Sequence, residues 1–227
     1  MSVLRDFPCY VETVKFRFRT RFITATAAIH SNIHPNVMHL NLLPSTTQRL
    51  VHTAIQLLPL CLRDWFETRF PEWNLPSRLV LKKYKEGWDE EFDQEKATYE
   101  SVKPLQGIVL PHYYGELRYE GTRALLLSDI GGDNLTTPQA SVFQEAELFR
   151  MLRAAFLALM SFNIVQGDLK LDNFHVVGDK IMAVDLEQVY KPGEDIARQS
   201  DHEAEFLLMS YRENQRAFLQ DGNITVV

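Results

Sequence analysis

Glycine is missing from the first 77 of the 227 residues. Glycine-rich loops let backbone amides close around phosphate groups, so the first third of the chain holds no sequence for such a loop. Cysteine is scarce as well, with only Cys9 and Cys61 in the chain. Two cysteines are too few for a disulfide framework, which excludes a small disulfide-stapled fold and favours a reducing compartment.

Long apolar segments are also lacking. The longest, residues 50–62, contains His52, Gln56 and Pro59 and is too short and too polar to span a bilayer. The first residues carry no apolar core of a secretion signal. A net charge of −6 does not favour a binder of nucleic acids or anionic membranes. We therefore expect a cytoplasmic protein, with a nuclear location left open, and neither nucleic acid nor membrane as a partner.

What the chain does contain is a polar segment at residues 167–174, Gly-Asp-Leu-Lys-Leu-Asp-Asn-Phe. It holds Asp168, Lys170 and Asn173, and Asp185 follows twelve residues after Asn173, at the end of an apolar run. This order and spacing is the layout of a phosphoryl-transfer site. The alternative is a polar loop in which Asp and Asn serve turn formation. The first three residues leave both interpretations open, and Asp185 favours the first.

The residue types suit phosphoryl transfer from ATP. Mg²⁺ bridges the phosphates of ATP and prefers hard oxygen ligands, which Asn173 and Asp185 supply. Lys170 can neutralise charge on the transferring group, and Asp168 can orient the attacking hydroxyl. The sequence therefore predicts ATP and Mg²⁺ as cofactors.

Two upstream residues add to this prediction. Lys82 ends a short apolar strand, and Glu95 lies on the next predicted helix, at about 89–102, on the same face as Phe92 and Tyr99. A carboxylate in an apolar stripe needs a partner, because an unpaired buried charge is very costly. Lys82 is the candidate for an ion pair with Glu95. The alternative is a solvated Glu95 at the edge of the stripe.

The N-terminal part predicts a strand, a loop and a helix. Residues 10–26 alternate apolar and basic side chains, which indicates a strand with a basic, solvated outer face. An anion-binding strip is the alternative. Residues 30–44 contain three histidines and are interpreted as an exposed loop, because no Cys or carboxylate lies at ligand spacing; a metal site is the alternative. Residues 46–70 indicate a helix that begins with a Ser45 capping box and kinks or splits at Pro59. We expect its apolar stripe to pack on the domain, with a partner-binding face as the alternative.

The C-terminal half predicts further elements with turn or capping signals at their ends. In chain order they are strands near 110–118 and 123–129, a glycine-containing connector, a helix from a capping box at Ser141 to about 161, a hairpin at 174–184 and a helix at 201–219 that begins after Ser200.

The order of the site residues resembles the protein kinase superfamily over residues 79–191. The residues that carry the resemblance are Lys82, Glu95, Asp168, Lys170, Asn173 and Asp185. The resemblance implies that Lys82 and Glu95 form an ion pair, that Asp168 orients the nucleophile and that Lys170 contacts the γ-phosphate. It also implies that Asn173 and Asp185 hold Mg²⁺.

One further segment resembles the nucleotide hinge of the family. Other segments resemble two smaller groups of kinase-like proteins. The segment 127–130 is similar to the gatekeeper and adenine hinge, which implies nucleotide contacts at Asp129 and Ile130. The segments 105–107 and 127–132 are similar to those of short kinase-like proteins encoded in fungal genomes. The Gly167-Asp168 pair is similar to the catalytic loops of aminoglycoside phosphotransferases and RIO-type kinases.

Several family features are absent. No glycine-rich loop precedes the strand lysine, and Gln166-Gly167 replaces the usual His-Arg before the catalytic Asp. Leu186 and Glu187 stand where the family has Phe and Gly, and there is no Ala-Pro-Glu segment. Only 42 residues follow Asp185, from which we expect no helical subdomain for peptide substrates.

We expect an α+β protein with a two-lobed protein-kinase-like fold in a single kinase-like domain. Residues 1–129 are expected to form the N-lobe, a small antiparallel sheet with an extra helix near 46–70, and residues 130–227 a reduced helical C-lobe. The expected function is ATP- and Mg²⁺-dependent phosphotransfer to a small molecule or one specific protein. The alternatives are a pseudokinase, acting as a nucleotide-binding or protein-interaction module, and a fragmentary product that folds poorly.

Overall fold

The computed structural model describes residues 11–29, 35–222 and 224. It is an α+β protein with a curled antiparallel sheet in its N-terminal part and helices. None of the helices in the described residues combines the length and the apolar character that a bilayer span needs.

The chain divides into two compact units. The first comprises the residues up to Asp89 and Tyr113–Asp129, and the second comprises Glu90–His112 and Ile130–Val227. The sequence prediction put residues 90–112 in the N-lobe. They join the second unit here because hydrogen bonds tie them to it, such as the 2.8 Å bond from Ala183 N to Val109 O.

One six-stranded antiparallel sheet forms the frame of the first unit. Its strands are β1 (Val11–Phe18), β2 (Arg21–Ile29), β3 (Val37–Leu42), β4 (Arg78–Lys83), β5 (Tyr113–Tyr119) and β6 (Thr122–Ser128). The spatial order is β1-β2-β3-β4-β6-β5. The sheet curls, so that the two outer strands approach and the ring of Phe16 on β1 meets that of Tyr119 on β5 at 6.3 Å. Alternate residues of every strand therefore face a shared apolar core.

Residues 10–26, predicted as one strand, contribute to two. β1 and β2 join in a turn at Arg19 and Thr20, with Phe18 paired to Arg21. Arg19 has a φ of 51°, a left-handed conformation that usually selects glycine or asparagine. The prediction was wrong because no residue marks the turn and basic side chains recur through it. The outer face does carry exposed Lys15, but Arg21 points inward and is buried.

The predicted loop at 30–44 contains strand β3. Met38 and Leu40 face the core and are buried, whereas His39 on the same strand is partly exposed. Short period-two patterns are weak signals when histidine and asparagine separate the apolar residues. His30 and His34 lie outside the described residues.

The predicted helix at 46–70 forms two helices, α1 (Thr46–Gln56) and α2 (Leu60–Arg69). Ser45 caps α1, since its Oγ accepts a hydrogen bond from Gln48 N at 3.1 Å, and Pro59 precedes α2. The capping residue and the split at Pro59 are confirmed.

The expected packing of the α1–α2 stripe on the domain holds only in part. Of its seven residues, four are buried or partly buried (Val51, Ile55, Leu58 and Phe66) and three are exposed (Ala54, Leu62 and Trp65). Among the described side chains of these helices, Ile55 alone is buried. The large apolar side chains that remain half exposed or more are Leu50, Leu57, Leu60, Leu62 and Trp65. Periodicity shows that a helix has an apolar face, but it does not show what covers that face.

Polar contacts fix this helical insert to the β1–β2 turn. The buried guanidinium of Arg21 donates to Glu72 O at 2.8 Å and to the side chain of Gln48. Thr20 Oγ1 donates to Glu72 Oε1 at 2.6 Å, and Arg21 stacks over Trp73. Burial lowers the pKa of Arg21, while the nearby Glu72 opposes this shift.

The second unit contains helices and short antiparallel ladders. Its elements are α3 (Asp89–Ser101), β7 (Asp133–Asn134), α4 (Glu145–Met160), β8 (Val165–Gln166), β9 (Phe174–Val177), β10 (Lys180–Ala183), β11 (Val189–Tyr190) and α5 (Ile196–Gln220). β9 pairs with β10 and β7, and β8 pairs with β11. The hairpin turning after Val177 confirms the prediction for 174–184, and α3 confirms the predicted helix at 89–102.

Two predicted helix starts were wrong. Ser141 does not cap α4, because its hydroxyl donates to Thr137 O at 2.9 Å in a preceding turn. The last helix begins at Ile196, where Asp195 accepts a hydrogen bond from Arg198 N at 3.0 Å. Ser200 lies inside that helix and is buried. Both serines match a capping pattern, but competing local hydrogen bonds decide the start.

Candidate functional site

A loop and a strand end meet in the second unit. The loop after β8 bonds to the segment after β10 at two points. Gly167 N donates to Gln188 O at 2.8 Å, and Val184 N donates to Asn173 O at 2.9 Å. The pairing of β8 with β11 and the β9–β10 hairpin complete this frame. The backbone therefore holds the two polar segments side by side.

Asp168, Lys170 and Asn173 come together in this loop. Lys170 Nζ lies 2.9 Å from Asp168 Oδ2. Asn173 Nδ2 donates to Asp168 O at 2.9 Å and lies 3.4 Å from Asp168 Oδ2. Asn173 is buried, whereas Asp168 is partly exposed. A carboxylate held at the surface by an amide and an ammonium can accept a hydrogen bond from an incoming hydroxyl.

The charge of Lys170 is stabilised by its surroundings. The hydrogen bond with Asp168 raises the pKa of Lys170, and the charges of Asp168, Asp172 and Asp185 raise it further. Its side chain is 65% exposed. Lys170 is thus an exposed cation beside a group of carboxylates, a position from which it can reach an anionic ligand.

Asp185 has an unusual backbone conformation. Its φ is 61°, which costs free energy for any residue with a Cβ and persists only where the surroundings hold it. Gln166 Nε2 donates to Asp185 O at 3.1 Å and to Val184 O at 2.8 Å. Leu186 N donates to Glu95 Oε1 at 3.3 Å. The residues on both sides of Asp185 are therefore anchored.

Three carboxylates converge beside this backbone. One oxygen each from Glu95, Asp185 and Glu187 lies within 4.8 Å of the other two. Glu95 is buried, and the other two are partly buried. Hard oxygen donors in this number suit a divalent cation such as Mg²⁺, so the residues present fit the ion that the sequence predicts. Mutual repulsion in a half-buried site also favours a bound cation.

Tyr99 interacts electrostatically with two of these carboxylates, those of Glu95 and Asp185. It is fully buried, and burial raises its pKa far above the ordinary value, with further contributions from Glu95 and Asp185. The phenol therefore stays neutral and does not add to the negative charge of the cluster.

The first unit contains Lys82, the other lysine of the predicted site. Lys82 lies near the end of β4 and is buried. Glu95 lies on α3 of the second unit and is also buried. Because the two residues belong to different units, the ion pair between them stays a prediction.

The predicted hinge residues, Asp129 and Ile130, lie where the chain passes from the first unit to the second. The carboxylate of Asp129 is bound by Arg78 Nη2 at 2.8 Å, with His39 Nδ1 at 3.5 Å. Its side chain is therefore engaged within the protein, and its backbone N–H donates to Arg78 O at 3.4 Å. Ile130 is partly buried.

The connector after Ile130 is tightly held. Gly132 has a φ of 70°, and a Cβ there would lie 2.1 Å from Val176 O. Only glycine fits this close approach.

Sequence reasoning missed the roles of Gln166 and Glu187. Gln166 was noted as a departure from the family, without a hydrogen-bonding role. Glu187 was noted in the same way, although a second acid two residues after Asp185 is a signal for a shared cation.

Comparison with known proteins assigns no role to these residues. Searches against protein-family models and against curated proteins find no match to this chain.

Proposed function

We propose that the chain is an ATP- and Mg²⁺-dependent phosphotransferase with a two-lobed kinase-like fold. The observation that carries this proposal is the cluster of Asp168, Lys170 and Asn173, joined by hydrogen bonds next to Asp185. A turn-forming role alone does not require an exposed ammonium and a second acidic strand end at the same place. Phosphoryl transfer uses both, a cation beside the transferring group and an acid that holds the metal.

Each group has one role in the proposed reaction. Asp168 accepts a hydrogen bond from the acceptor hydroxyl and orients it. Lys170 stabilises the negative charge of the transferring group. Asn173 and Asp185 would hold Mg²⁺, with Glu187 within reach of the same ion. The ion, when bound, neutralises the phosphate charge that builds up during transfer.

The order of elements supports the kinase-like fold. A strand with Lys82 is followed by a helix with Glu95, two strands, a glycine connector, helix α4, the Asp168 loop and a hairpin that ends at Asp185. This is the order that the family resemblance implies. Three strands precede the lysine strand, where the sequence predicted one, so Lys82 lies on the fourth strand.

The proposed acceptor is a small molecule or one specific protein. An acceptor hydroxyl must be held in line with the γ-phosphate. Only residues 186–195 separate Asp185 from α5, which leaves little chain at the site for a general peptide-binding surface. Two acids of α5 are already engaged: Asp201 pairs with Arg153, and buried Glu203 accepts a hydrogen bond from Tyr190.

A pseudokinase is the second candidate, and two observations favour it. No glycine precedes residue 87. That part of the chain therefore has no glycine-rich loop whose backbone amides could close on phosphates. The insert also exposes large apolar side chains, such as Leu57 at 83% and Leu60 at 72%, and such patches often serve protein interaction.

Thermal unfolding with and without metal tests the proposal. At a hundredfold excess of Mg-ATP over its Kd, binding stabilises the native state by about 2.7 kcal/mol, or roughly 5–10 °C in Tm. We expect this shift with Mg-ATP, a much smaller one with ATP and chelator, and transfer of the γ-phosphate to water or to an acceptor in a screen. A shift without any transfer supports the pseudokinase, and no metal-dependent shift contradicts the nucleotide site.

A further inference from the structure

Gln166 makes an unusual set of contacts. It is completely buried at the end of β8. Its Nε2 donates to the carbonyl oxygens of two consecutive residues, Val184 at 2.8 Å and Asp185 at 3.1 Å. The side-chain amide thereby links the start of the Asp168 loop to the residue proposed to bind metal.

The orientation of this amide follows from its partners. Carbonyl oxygens accept but do not donate, so the nitrogen of Gln166 must face both of them. Its Oε1 then has no hydrogen-bond partner among the described residues. A buried amide oxygen without a partner is unfavourable. An apolar side chain of similar volume would avoid this cost but would leave the carbonyl oxygens of Val184 and Asp185 without this donor. The two hydrogen bonds of Nε2 are therefore what glutamine supplies here.

The backbone that Gln166 holds is the strained one. Asp185 has a φ of 61°, and strained residues persist where several contacts fix them. Val184 N and Leu186 N are bonded to Asn173 O and Glu95 Oε1. Gln166 adds a bond to the carbonyl of Asp185 itself.

We propose that Gln166 is a positioning residue for the metal site. Its amide holds Asp185 in the left-handed conformation in which the carboxylate meets those of Glu95 and Glu187. As far as it concerns metal and nucleotide, this inference rests on the proposed function. Removing a residue that hydrogen-bonds to a metal ligand typically changes metal affinity 10–100-fold.

The test compares variants that separate hydrogen bonding from packing. Gln166→Met keeps the length and volume but has no donor, Gln166→Leu is a second donor-free variant, and Gln166→His restores an N–H. The matched control is Gln215→Leu, since Gln215 Nε2 donates to Ser141 O at 2.8 Å outside the site. Calorimetry measures the Kd of Mg-ATP and of ATP with chelator for each.

We expect Gln166→Met and Gln166→Leu to weaken Mg-ATP binding roughly tenfold or more, with ATP binding in chelator changed less than twofold. Gln166→His should bind more tightly than both, and Gln215→Leu should match the wild type. A role in packing alone predicts the reverse order, because histidine fits the buried space worse than methionine or leucine.

Hydrogen exchange of the ligand-free protein keeps the two proposals apart. We expect the amides of Val184 and Leu186 to exchange faster in Gln166→Met than in the wild type or in Gln215→Leu. Unchanged metal dependence in a Gln166→Met protein whose wild type binds Mg-ATP overturns the positioning role. If the wild type does not bind Mg-ATP, the proposed function fails, and the exchange rates alone decide: faster exchange supports the hold on Asp185, and equal exchange overturns it.

Discussion

Asp168 and Asp185 carry the same side chain in different settings. Asp168 is partly exposed and hydrogen-bonded to Lys170 and Asn173. Asp185 lies among other carboxylates, with a strained backbone. Chemically identical groups can thus take separate roles, one toward the acceptor and one toward a cation, because the environment decides what each can bind.

Exchange of either carboxylate for an amide separates these roles. Asp185→Asn is expected to lower Mg²⁺-dependent ATP affinity by on the order of 100-fold, because it removes an anionic oxygen ligand. Asp168→Asn is expected to leave binding intact and to reduce kcat by roughly 10²–10⁴-fold. Calorimetry and a phosphate-transfer assay measure the two effects. Unchanged Mg-ATP affinity in Asp185→Asn would remove that residue from the metal site.

The positions of the polar site residues could be predicted from the sequence to different degrees. Asp168, Lys170 and Asn173 lie within seven positions of one another, so local spacing predicts their proximity. The contact of Gln166 with Asp185 depends on the pairing of two short strands, which a single sequence does not encode locally. The grouping of Glu187 with Glu95 likewise depends on tertiary packing.

Among the secondary-structure elements, the insert shows most clearly where pattern and burial diverge. Pro59 predicted the break between α1 and α2, because proline cannot continue a helix. Burial could not be inferred, since exposed and buried amphipathic helices share one periodicity. The six-stranded sheet was also predicted only in part, because the β1–β2 turn lacks glycine and β3 is short and interrupted by polar residues.

Substitutions on α1 should show this contrast. Ile55 is buried, so Ile55→Ala is expected to lower the free energy of unfolding by about 2–5 kcal/mol. Leu57 is 83% exposed, so Leu57→Ala should change it by less than about 0.5 kcal/mol. Urea denaturation of both variants provides the comparison. A large loss for Leu57→Ala would mean that its side chain is covered in solution.

At the scale of the whole molecule, the raised pKa of buried Tyr211 makes stability depend on pH in the alkaline range. Burial raises the pKa of Tyr211 from 10.0 to about 12, and its hydroxyl lies 3.0 Å from Ala140 O. The unfolded chain therefore loses this proton first. The stabilisation is complete below about pH 10 and is lost as the pH rises toward 12, because deprotonation then favours the unfolded state.

We expect the free energy of unfolding to fall by up to about 1.4 kcal/mol per pH unit for this tyrosine between pH 10 and 12. Tyr211→Phe should be less stable near neutral pH, but its stability should decline less steeply in that range. Urea titrations at several pH values compare the slopes. Equal slopes in the two proteins would show that Tyr211 is not protonated more strongly in the folded state.

The curled sheet of the first unit has a consequence for synthesis of the chain. Phe16 on β1 packs against Tyr119 on β5, about a hundred residues later. At roughly 5–20 residues per second, the first hairpin leaves the ribosome about 5–20 s before that partner strand exists. During this interval its aromatic side chains lack part of their final packing. A nascent chain stalled before residue 113 would therefore expose aromatic surface that the finished sheet covers, and chaperones bind such surface.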